Sequence, residues 1–207
     1  MPDDTSYWNG YYQQDFIKEA SPFAIFCQEN FLKQPLRIIE FGSGSGRDLR
    51  FLHHAGNRIT GYDTSTEAVA NIKSAYPDLD IVLGDFTQLE SSEGLDAVYS
   101  RWTLHSIDED AADRALSWCA KNIDEGGILM IEVRTVNDHL YGEGAPAGRN
   151  AYITDHYRRF IVPDEIRQKL ESLGFNIQFF EEGQGFSIYK DDDPVLLRVM
   201  AKKMSVN

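Results

Sequence analysis

The chain alternates short apolar runs with segments of helical periodicity. Five runs lack the strict polar alternation of half-exposed strands, which is typical of strands buried on both faces of a parallel sheet. These runs span residues 36–41, 58–63, 79–84, 95–100 and 127–134. Because helical patterns separate them, the alternation predicts an α/β, Rossmann-like fold with helices on both faces of a mostly parallel sheet.

The pattern changes after the fifth run. Residues 136–156 hold three glycines and a proline with little periodicity, which predicts a long loop of the kind that tends to be functional. A helical pattern at 163–174 precedes two further apolar runs, 175–183 and 194–204, which predict an antiparallel strand pair at the edge of the sheet. We expect a single domain over residues 1–207.

Capping motifs predict where two helices begin. Thr64 with Glu67, and Ser106 with Glu109, have the spacing of a capping box. Gly126 follows the second of these helices, at a place where a left-handed helix end favours glycine.

Composition and charge exclude several classes of protein. The 207 residues carry a net charge of −13, which disfavours a nucleic-acid partner because phosphate backbones bind through lysine and arginine. No apolar run approaches the roughly 18 residues of a membrane span, and the acidic start is unlike a signal peptide. Cys27 and Cys119 lack metal-ligand spacing and are expected to be buried free thiols, so we expect a cytoplasmic protein without a bound metal.

A glycine-rich turn follows the first strand. It reads Gly42-Ser43-Gly44-Ser45-Gly46, whereas a dinucleotide-binding turn has its third glycine in the sixth position, here Arg47. Glu40, just before the turn, would repel a pyrophosphate and would suit a ligand with an ammonium or sulfonium group. The pattern therefore disfavours a nicotinamide-dependent oxidoreductase, the first alternative.

Two acids end the next strands. Asp63 lies 21 residues after Gly42, where a carboxylate can accept both hydroxyls of a ribose. Asp85 and Phe86 follow the third strand and offer an acid for an adenine amino group and a ring to stack on it. Taken singly, Glu40 and Asp85 can equally be structural residues that cap a loop or end a strand.

The ordered set of the glycine turn, Asp63, Gly84-Asp85-Phe86 and "LDAVYSRWTLHSI" resembles the class I S-adenosylmethionine-dependent methyltransferases. The resemblance covers nearly the whole chain and implies a seven-stranded sheet of order 3-2-1-4-5-7-6. It also implies S-adenosylmethionine as the cofactor. The cofactor-binding residues that it implies are Glu40, Gly42, Ser43, Gly44, Gly46, Asp63, Thr64, Asp85, Phe86, Ser100 and Arg101.

The residues after the fourth strand bear on the methyl acceptor. Enzymes of this fold that methylate amide or base nitrogens often carry an N/D-P-P-[YF] motif after the fourth strand. This chain has Ser100-Arg101-Trp102-Thr103 there. The chain is also short and acidic, so we expect a small-molecule acceptor. Six basic or potentially basic side chains are expected at the carboxyl edge of the sheet: Arg101, His105, Arg134, His156, Arg158 and Arg159.

These six residues leave two interpretations open. Arginine binds oxyanions with its planar fork, which favours O-methylation of a carboxylate, phosphate or phosphonate. Alternatively, Arg158 and Arg159 lie on a solvated face and pair with local acids such as Asp155 and Asp164. His105 is either the general base for a neutral hydroxyl or amine acceptor, or a structural histidine.

The segments "SRWTLHSI", "IEVRT" and "HYRRFI" are also similar to small bacterial O-methyltransferases of phosphonate or phosphoramidate natural products and of surface-polysaccharide decoration. In related enzymes an N-terminal segment, here residues 1–33, forms a lid, and Tyr12 is then the expected substrate contact. Alternatively, Trp8, Tyr11 and Tyr12 simply pack an opening helix onto the sheet. A non-catalytic cofactor-binding protein of the same fold is the alternative from another class. The edge strands and N-terminal aromatic residues are compatible with a homodimer.

Overall fold

The computed structural model describes residues 5–12, 19–92, 94–188 and 191–205. Its α-helices are α1 (Thr5–Tyr12), α2 (Pro22–Asn30), α3 (Arg47–His54), α4 (Thr66–Ala75), α5 (Glu109–Asn122) and α6 (Pro163–Ser172). Its strands are β1 (Arg37–Phe41), β2 (Arg58–Asp63), β3 (Asp80–Leu83), β4 (Leu95–Arg101), β5 (Ile123–Arg134), β6 (Ala145–Gly148), β7 (Ala151–Ile153), β8 (Tyr157–Arg159), β9 (Phe175–Gly183) and β10 (Leu196–Lys203).

Seven strands form the main sheet in the order β3-β2-β1-β4-β5-β10-β9. Strands β1 to β5 are parallel, and β10 is antiparallel to both of its neighbours. This confirms the mostly parallel sheet and the strand order expected from the sequence. The carboxyl ends of β1, β2 and β4 therefore meet at one edge of the sheet, where open α/β sheets bind ligands.

The sheet is covered on both faces, which explains the unbroken apolar runs. In β5, Leu129 and Ile131 belong to the core under α5 and α6, whereas Met130 belongs to the opposite core with α2 and α3. Consecutive residues of a strand point to opposite faces, so a strand between two cores has no polar side to display.

Two predicted helix starts were wrong by one or two residues. Helix α4 is capped by Ser65, whose hydroxyl accepts the N–H of Ala68, and not by Thr64. Helix α5 is capped by Asp108, whose carboxylate accepts the N–H of Ala111. Asp and Ser are both good caps, so the spacing alone did not distinguish neighbouring candidates.

Gly126 lies inside β5 and not at a helix end. Its φ of 80° is left-handed as expected, but β5 already begins at Ile123, directly after α5. The pairing of β5 with β4 shifts between Leu95 and Ala97, so the left-handed glycine falls in an irregular part of the strand.

Residues 136–156 are not an irregular loop throughout. They include β6 and β7, which with β8 form a separate three-stranded antiparallel sheet of order β6-β7-β8. The small sheet is anchored to the main sheet by the residues that flank it. The N–H of Arg159 donates to the carbonyl of His105, and Thr135 pairs with Ile161. The sequence lacks a clear strand pattern here because β6, β7 and β8 are only three or four residues long.

The N-terminal segment has two different roles. Helix α2 is a core element, with Phe23, Ala24 and Cys27 buried and Ser21 as its N-cap. Helix α1 contacts α4 instead and carries the predicted lid aromatics; residues 1–4 and 13–18 of the expected lid lie outside the described residues.

The described residues support three further points about the chemistry of the chain. Cys27 and Cys119 are free and buried, as predicted. In this part of the chain, no three His, Cys, Asp or Glu side chains lie together in a way that could hold a metal ion. None of its helices combines the length and apolar character that crossing a membrane requires.

Candidate active site

The turn between β1 and α3 has a left-handed backbone at alternate residues. Gly42, Gly44 and Gly46 have φ values of 65°, 54° and 72°, a region in which residues with a Cβ are strained. A Cβ at Gly42 would lie 2.4 Å from Cγ2 of Thr103, and one at Gly44 would lie 2.4 Å from the hydroxyl of Tyr12. The turn thus presents bare backbone to Thr103 and Tyr12, which pack closely against it.

Glu40 lies beside this turn, near the end of β1. It is 3% exposed, and its Oε2 accepts no hydrogen bond from the described residues. Burial raises the pKa of Glu40 to about 8, and the negative charge of Asp48 adds to the rise. Because a buried carboxylate oxygen without a partner is unfavourable, this position suits a ligand that brings a positive charge.

Asp63 ends β2 and is held by backbone groups. Its Oδ2 accepts the N–H of Gly44 at 2.8 Å, and its Oδ1 accepts the N–H of Ser65 at 2.8 Å. Burial raises the pKa of Asp63, and backbone hydrogen bonds, including one from the exposed Thr64, oppose that rise. The carboxylate is therefore fixed in orientation next to the glycine turn.

Asp85 follows β3 at the edge of an open cleft. Burial would raise its pKa, but hydrogen bonds from Thr87 and Gln88 outweigh that effect and hold the pKa below its ordinary value. The cleft is lined by Tyr62, Gly84, Asp85, Gln88, Leu89 and Glu90. Phe86, the expected stacking ring, packs in the core at 4.7 Å from the ring of Phe41.

The carboxyl end of β4 carries a fixed arginine. Nε of Arg101 donates to Oε1 of Glu132 at 3.1 Å, and its two terminal nitrogens make no hydrogen bond to any described residue. Glu132 is fully buried and also accepts Nε of Arg198 at 2.8 Å. One residue earlier, the hydroxyl of Ser100 lies 2.6 Å from that of Thr103.

Five of the six predicted basic residues converge. His105 is buried; its Nδ1 accepts the backbone N–H of Arg134, and its carbonyl accepts the N–H of Arg159, the neighbour of Arg158 in β8. Its pKa lies well below the ordinary value because of burial and because of the nearby side chains of Arg134, Arg158, His156 and Arg101. We call these five residues the basic cluster. It joins the ends of β4 and β5 to the small sheet.

Arg159 is the sixth residue and lies elsewhere. Arg158 and Arg159 are neighbours in β8, so their side chains point to opposite faces of that strand. Nε and Nη2 of Arg159 donate to the backbone carbonyls of Ile107 at 3.2 Å and Leu104 at 3.0 Å. Its contacts are therefore with the chain segment before α5.

Acids offset part of the positive charge in the basic cluster. Nη1 of Arg134 donates to both carboxylate oxygens of Asp138 at 2.9 and 3.0 Å, and Nη2 donates to Asp192. Arg158 pairs with Asp155 at 2.7 Å. Arg158 thus pairs with a local acid, as the solvated-face alternative expected, and its role in an anion site stays a prediction.

The hydrogen bond of His105 determines which of its nitrogens carries a proton. Its Nδ1 accepts the backbone N–H of Arg134 at 3.2 Å. A neutral imidazole has one acceptor and one donor nitrogen, so Nε2 carries the hydrogen. His105 can therefore donate a hydrogen bond to a ligand, but it has no basic nitrogen left to accept a proton.

Helix α1 packs against α4 and the glycine turn. The side-chain oxygen of Asn9 accepts the hydroxyl of Ser65 at 2.7 Å, and the carbonyl of Tyr12 accepts the side-chain amide of Asn71 at 3.0 Å. Burial raises the pKa of the Tyr12 hydroxyl, and the nearby negative charge of Asp63 adds to the rise. The hydroxyl thus lies between the glycine turn and Asp63.

The same helix also reaches the small sheet. The Tyr7 hydroxyl donates to Oδ2 of Asp155 at 3.0 Å. The rings of Tyr7 and Trp8 lie 4.5 and 5.2 Å from the ring of His156. Helix α1 therefore bridges the two sides of the carboxyl edge, as a lid would.

Three residues in this region were not identified from the sequence. Arg47 begins α3, and its one ion pair within the described ranges is a loose 3.9 Å contact with Asp48. Burial lowers the pKa of Arg47, and the positive charge of Arg101 lowers it further. The other two residues that the sequence did not identify are Trp102 and Glu132. A basic residue directly after the third glycine was the available signal for Arg47, whereas Glu132 looked like an ordinary strand residue.

The sequence comparisons point in one direction. Residues 39–131 match the family described as "Methyltransferase domain". An uncharacterized methyltransferase of Bacillus cytotoxicus is 25% identical over 152 residues, which cover 69% of this chain and 70% of that protein. A Bacillus mycoides relative of the same description has the same identity and coverage.

Solved structures share the fold. A 1,6-didemethyltoxoflavin-N1-methyltransferase of Burkholderia thailandensis, with bound 1,6-didemethyltoxoflavin and S-adenosylhomocysteine, superposes with a TM-score of 0.72 at 18% identity and covers 97% of this chain and 87% of its own. A SAM-dependent methyltransferase of Methanosarcina mazei gives a TM-score of 0.74 at 18% identity, over 85% of this chain and 96% of its own. At such identities the likeness shows the fold alone.

Proposed function

Since this chain is a class I S-adenosylmethionine-dependent methyltransferase, we propose that it transfers the methyl group to an acidic oxygen of a small molecule, namely a carboxylate, phosphate or phosphonate.

We assign each part of the cofactor to a residue of matching chemistry. The buried Glu40 binds the ammonium group, and Arg47 binds the methionine carboxylate on the other side of the glycine turn. Asp63 accepts the ribose hydroxyls, and Asp85 accepts the adenine amino group in the cleft after β3. These assignments are supported by the unpartnered Oε2 of Glu40, the loose ion pair of Arg47, and the fixed carboxylates of Asp63 and Asp85.

The reaction needs correct positioning of the acceptor oxygen against the methyl carbon more than it needs proton transfer. The acceptor oxygen attacks the methyl carbon as the bond from that carbon to sulfur breaks, and S-adenosylhomocysteine leaves with the electron pair on sulfur. An oxyanion carries no proton to remove, so it needs cations that orient it and no general base. A neutral hydroxyl would profit from a base with a pKa near neutrality.

The hydrogen bond of His105 is the observation that favours an oxyanion acceptor over a neutral hydroxyl. Its Nδ1 already accepts the backbone N–H of Arg134, and burial among positive charges lowers its pKa. His105 is therefore a poor base and a good neutral hydrogen-bond donor. This favours an acceptor that is already anionic over the alternative in which His105 deprotonates a hydroxyl.

The remaining donors of the basic cluster support the same choice. The terminal nitrogens of Arg101 make no hydrogen bond to a described residue, although Nε is fixed by Glu132. Arg158 pairs with Thr154 and Asp155 through Nη1 alone, and its Nε and Nη2 make no hydrogen bond to a described residue. Arg134 is already occupied by Asp138 and Asp192, so we assign the acceptor to Arg101 and Arg158 rather than to Arg134.

The test is release of S-adenosylhomocysteine with matched acceptors. Benzoate, phenyl phosphate and phenylphosphonate would be compared with benzyl alcohol and benzylamine. We expect turnover on the acidic members. In Arg158→Gln, the KM for the acidic acceptor should rise about 10-fold or more, the size of a lost charged hydrogen bond, with the Kd for S-adenosylhomocysteine unchanged.

Arg149→Gln is the matched control. Arg149 is an exposed arginine of the same small-sheet region that pairs with Glu109 and Glu165, and its replacement should leave the KM unchanged. Turnover confined to benzyl alcohol or benzylamine would refute the acidic acceptor. Tight binding of S-adenosylmethionine without turnover on any member would favour the non-catalytic alternative.

A further inference from the structure

Trp102 has a backbone conformation that its side chain disfavours. Its φ is 60°, and Asn150 is the one other non-glycine residue in the described ranges with positive φ. Asparagine tolerates this region, whereas a bulky side chain does so only when its surroundings hold it there. Residues held in this way cluster at functional sites. Trp102 directly follows β4, at the ligand-binding edge of the sheet.

Glu132 holds Trp102 at two points. The backbone N–H of Trp102 donates to the carbonyl of Glu132 at 2.9 Å. The indole Nε1–H donates to Oε1 of the same residue at 3.1 Å. Because Glu132 is fully buried on β5, the position of the indole is tied to the rigid sheet.

The same carboxylate and the same ring hold Arg101. Nε of Arg101 donates to Oε1 of Glu132 at 3.1 Å, and its guanidinium carbon lies 4.5 Å from the centre of the Trp102 ring. A cation this close to an indole ring is attracted by it. The guanidinium is thereby fixed at Nε and through its contact with the ring, while its terminal nitrogens remain available for a ligand.

Trp102 also lies between the two halves of the site. The next residue, Thr103, packs against the glycine turn, where Cγ2 is 2.4 Å from the place that a Cβ of Gly42 would take. On the other side, the Trp102 ring centre lies 6.1 Å from that of His105 and 5.6 Å from the guanidinium carbon of Arg134.

We propose that Trp102 is a positioning residue for the acceptor: together with Glu132 it aims the terminal nitrogens of Arg101 at the acceptor oxyanion. This inference rests on the proposed function. It adds a residue that acts through Arg101 and explains why a strained tryptophan, rather than a residue that relaxes the turn, occupies this position.

The left-handed backbone at Trp102 allows the side chain to be removed without adding backbone strain. Trp102→Gly removes the indole but places at φ 60° the residue that adopts it most readily, so the substitution relieves strain in the turn. Trp102→Phe keeps a smaller aromatic ring beside Arg101 and removes the N–H to Glu132. Asn150→Gly is the matched control, because it makes the same backbone change at the other left-handed position.

The readout is steady-state kinetics on phenylphosphonate together with direct binding of S-adenosylhomocysteine. For Trp102→Gly we expect the KM for phenylphosphonate to rise about 10-fold or more, with kcat reduced less and the Kd for S-adenosylhomocysteine within about 2-fold. Trp102→Phe should give a smaller rise in KM, and Asn150→Gly none. A purely structural role would instead lower the active fraction without changing the KM.

The outcomes separate this inference from the proposed function. If wild-type protein methylates phenylphosphonate and Trp102→Gly keeps the same KM, the positioning role is refuted and the acidic acceptor stands. If wild-type protein accepts only the neutral alcohol or amine, the acidic acceptor fails, and the positioning role with it. Should Trp102→Gly not fold, Trp102→Phe decides: an unchanged KM in that variant refutes the role of the indole N–H in aiming Arg101.

Discussion

Two residues of this enzyme, Glu40 and Trp102, have a surrounding or a backbone conformation that is unfavourable for their side chains. Glu40 is a carboxylate in a nearly closed site with one oxygen unpartnered, and Trp102 is a bulky residue in a left-handed conformation. Both conditions disfavour the folded protein on its own. They are understandable at a site where a ligand supplies the missing charge or contact.

The raised pKa of Glu40 predicts a pH dependence of cofactor binding. Below its pKa of about 8 the free protein holds Glu40 protonated, and binding an ammonium group must expel that proton. The Kd for S-adenosylhomocysteine should therefore fall as the pH rises from 6 to 8, by at most about 10-fold per unit. Isothermal titration calorimetry in buffers of different ionisation enthalpy should count about one released proton near pH 6.5.

Glu40→Gln should bind more weakly near pH 8 and lose this pH dependence, because the amide cannot ionise. Glu67→Gln, which changes a carboxylate of the first turn of α4, is the control and should behave as wild type. A wild-type Kd that stays flat from pH 6 to 8 would contradict the assignment of Glu40 to the ammonium group.

Elements decide which side chains meet. The two-residue repeat of β8 divides Arg158 from Arg159, so adjacent arginines serve different parts of the molecule. Helix α1 does the opposite and joins parts that are distant in sequence. Its Asn9 binds the cap of α4, and its Tyr7 binds Asp155 of the small-sheet region.

This bridge predicts that α1 controls access for the acceptor. Tyr7→Phe removes the hydrogen bond to Asp155 and should lower kcat/KM for the acceptor about 2- to 10-fold, the effect of one hydrogen bond of about 0.5–1.5 kcal/mol. The Kd for S-adenosylhomocysteine should change little, because Tyr7 lies on the acceptor side. Tyr141→Phe, which removes an exposed hydrogen bond to Asn150, is the control. Equal kinetics for the two variants would argue against α1 as a lid.

The whole molecule and its site have opposite electrostatic characters. The chain carries a net charge of −13, whereas positive side chains surround His105. The long-range field is therefore repulsive for an acidic acceptor and attractive for a cationic methyl donor, and only contacts within the site reverse that preference for the acceptor.

Ionic strength should act on the two substrates with opposite sign. Raising salt from about 10 to 150 mM shortens the screening length from about 30 to 8 Å, which removes long-range forces before short contacts. We expect kcat/KM for phenylphosphonate to rise and kcat/KM for S-adenosylmethionine to fall. Stopped-flow or initial-rate measurements at constant pH would follow both. A fall for both substrates would mean that the local basic cluster dominates the approach of the acceptor.

The sequence by itself determined the main sheet and the enzyme class. Buried parallel strands need unbroken apolar runs, and a backbone that approaches a ligand needs glycine, so both leave a mark at fixed local spacing. For this reason the strand order was predictable through the family resemblance, and Glu40, the glycine turn and Asp63 were found as candidates. Helix starts and the strands of residues 136–156 were missed, because neighbouring residues cap equally well and very short strands have no readable period.

Only the tertiary structure decided the chemistry of the acceptor side. Six basic residues were expected together, but contacts across the sheet gave them different environments: Arg134 is occupied by Asp138 and Asp192, and Arg101 is held by Glu132. The state of His105 depends on a backbone N–H 29 positions away. Such pairings depend on which strand ends become neighbours in the fold. Local sequence patterns do not encode contacts between residues that are far apart in sequence. Charge and hydrogen bonding at this site are therefore properties of the fold.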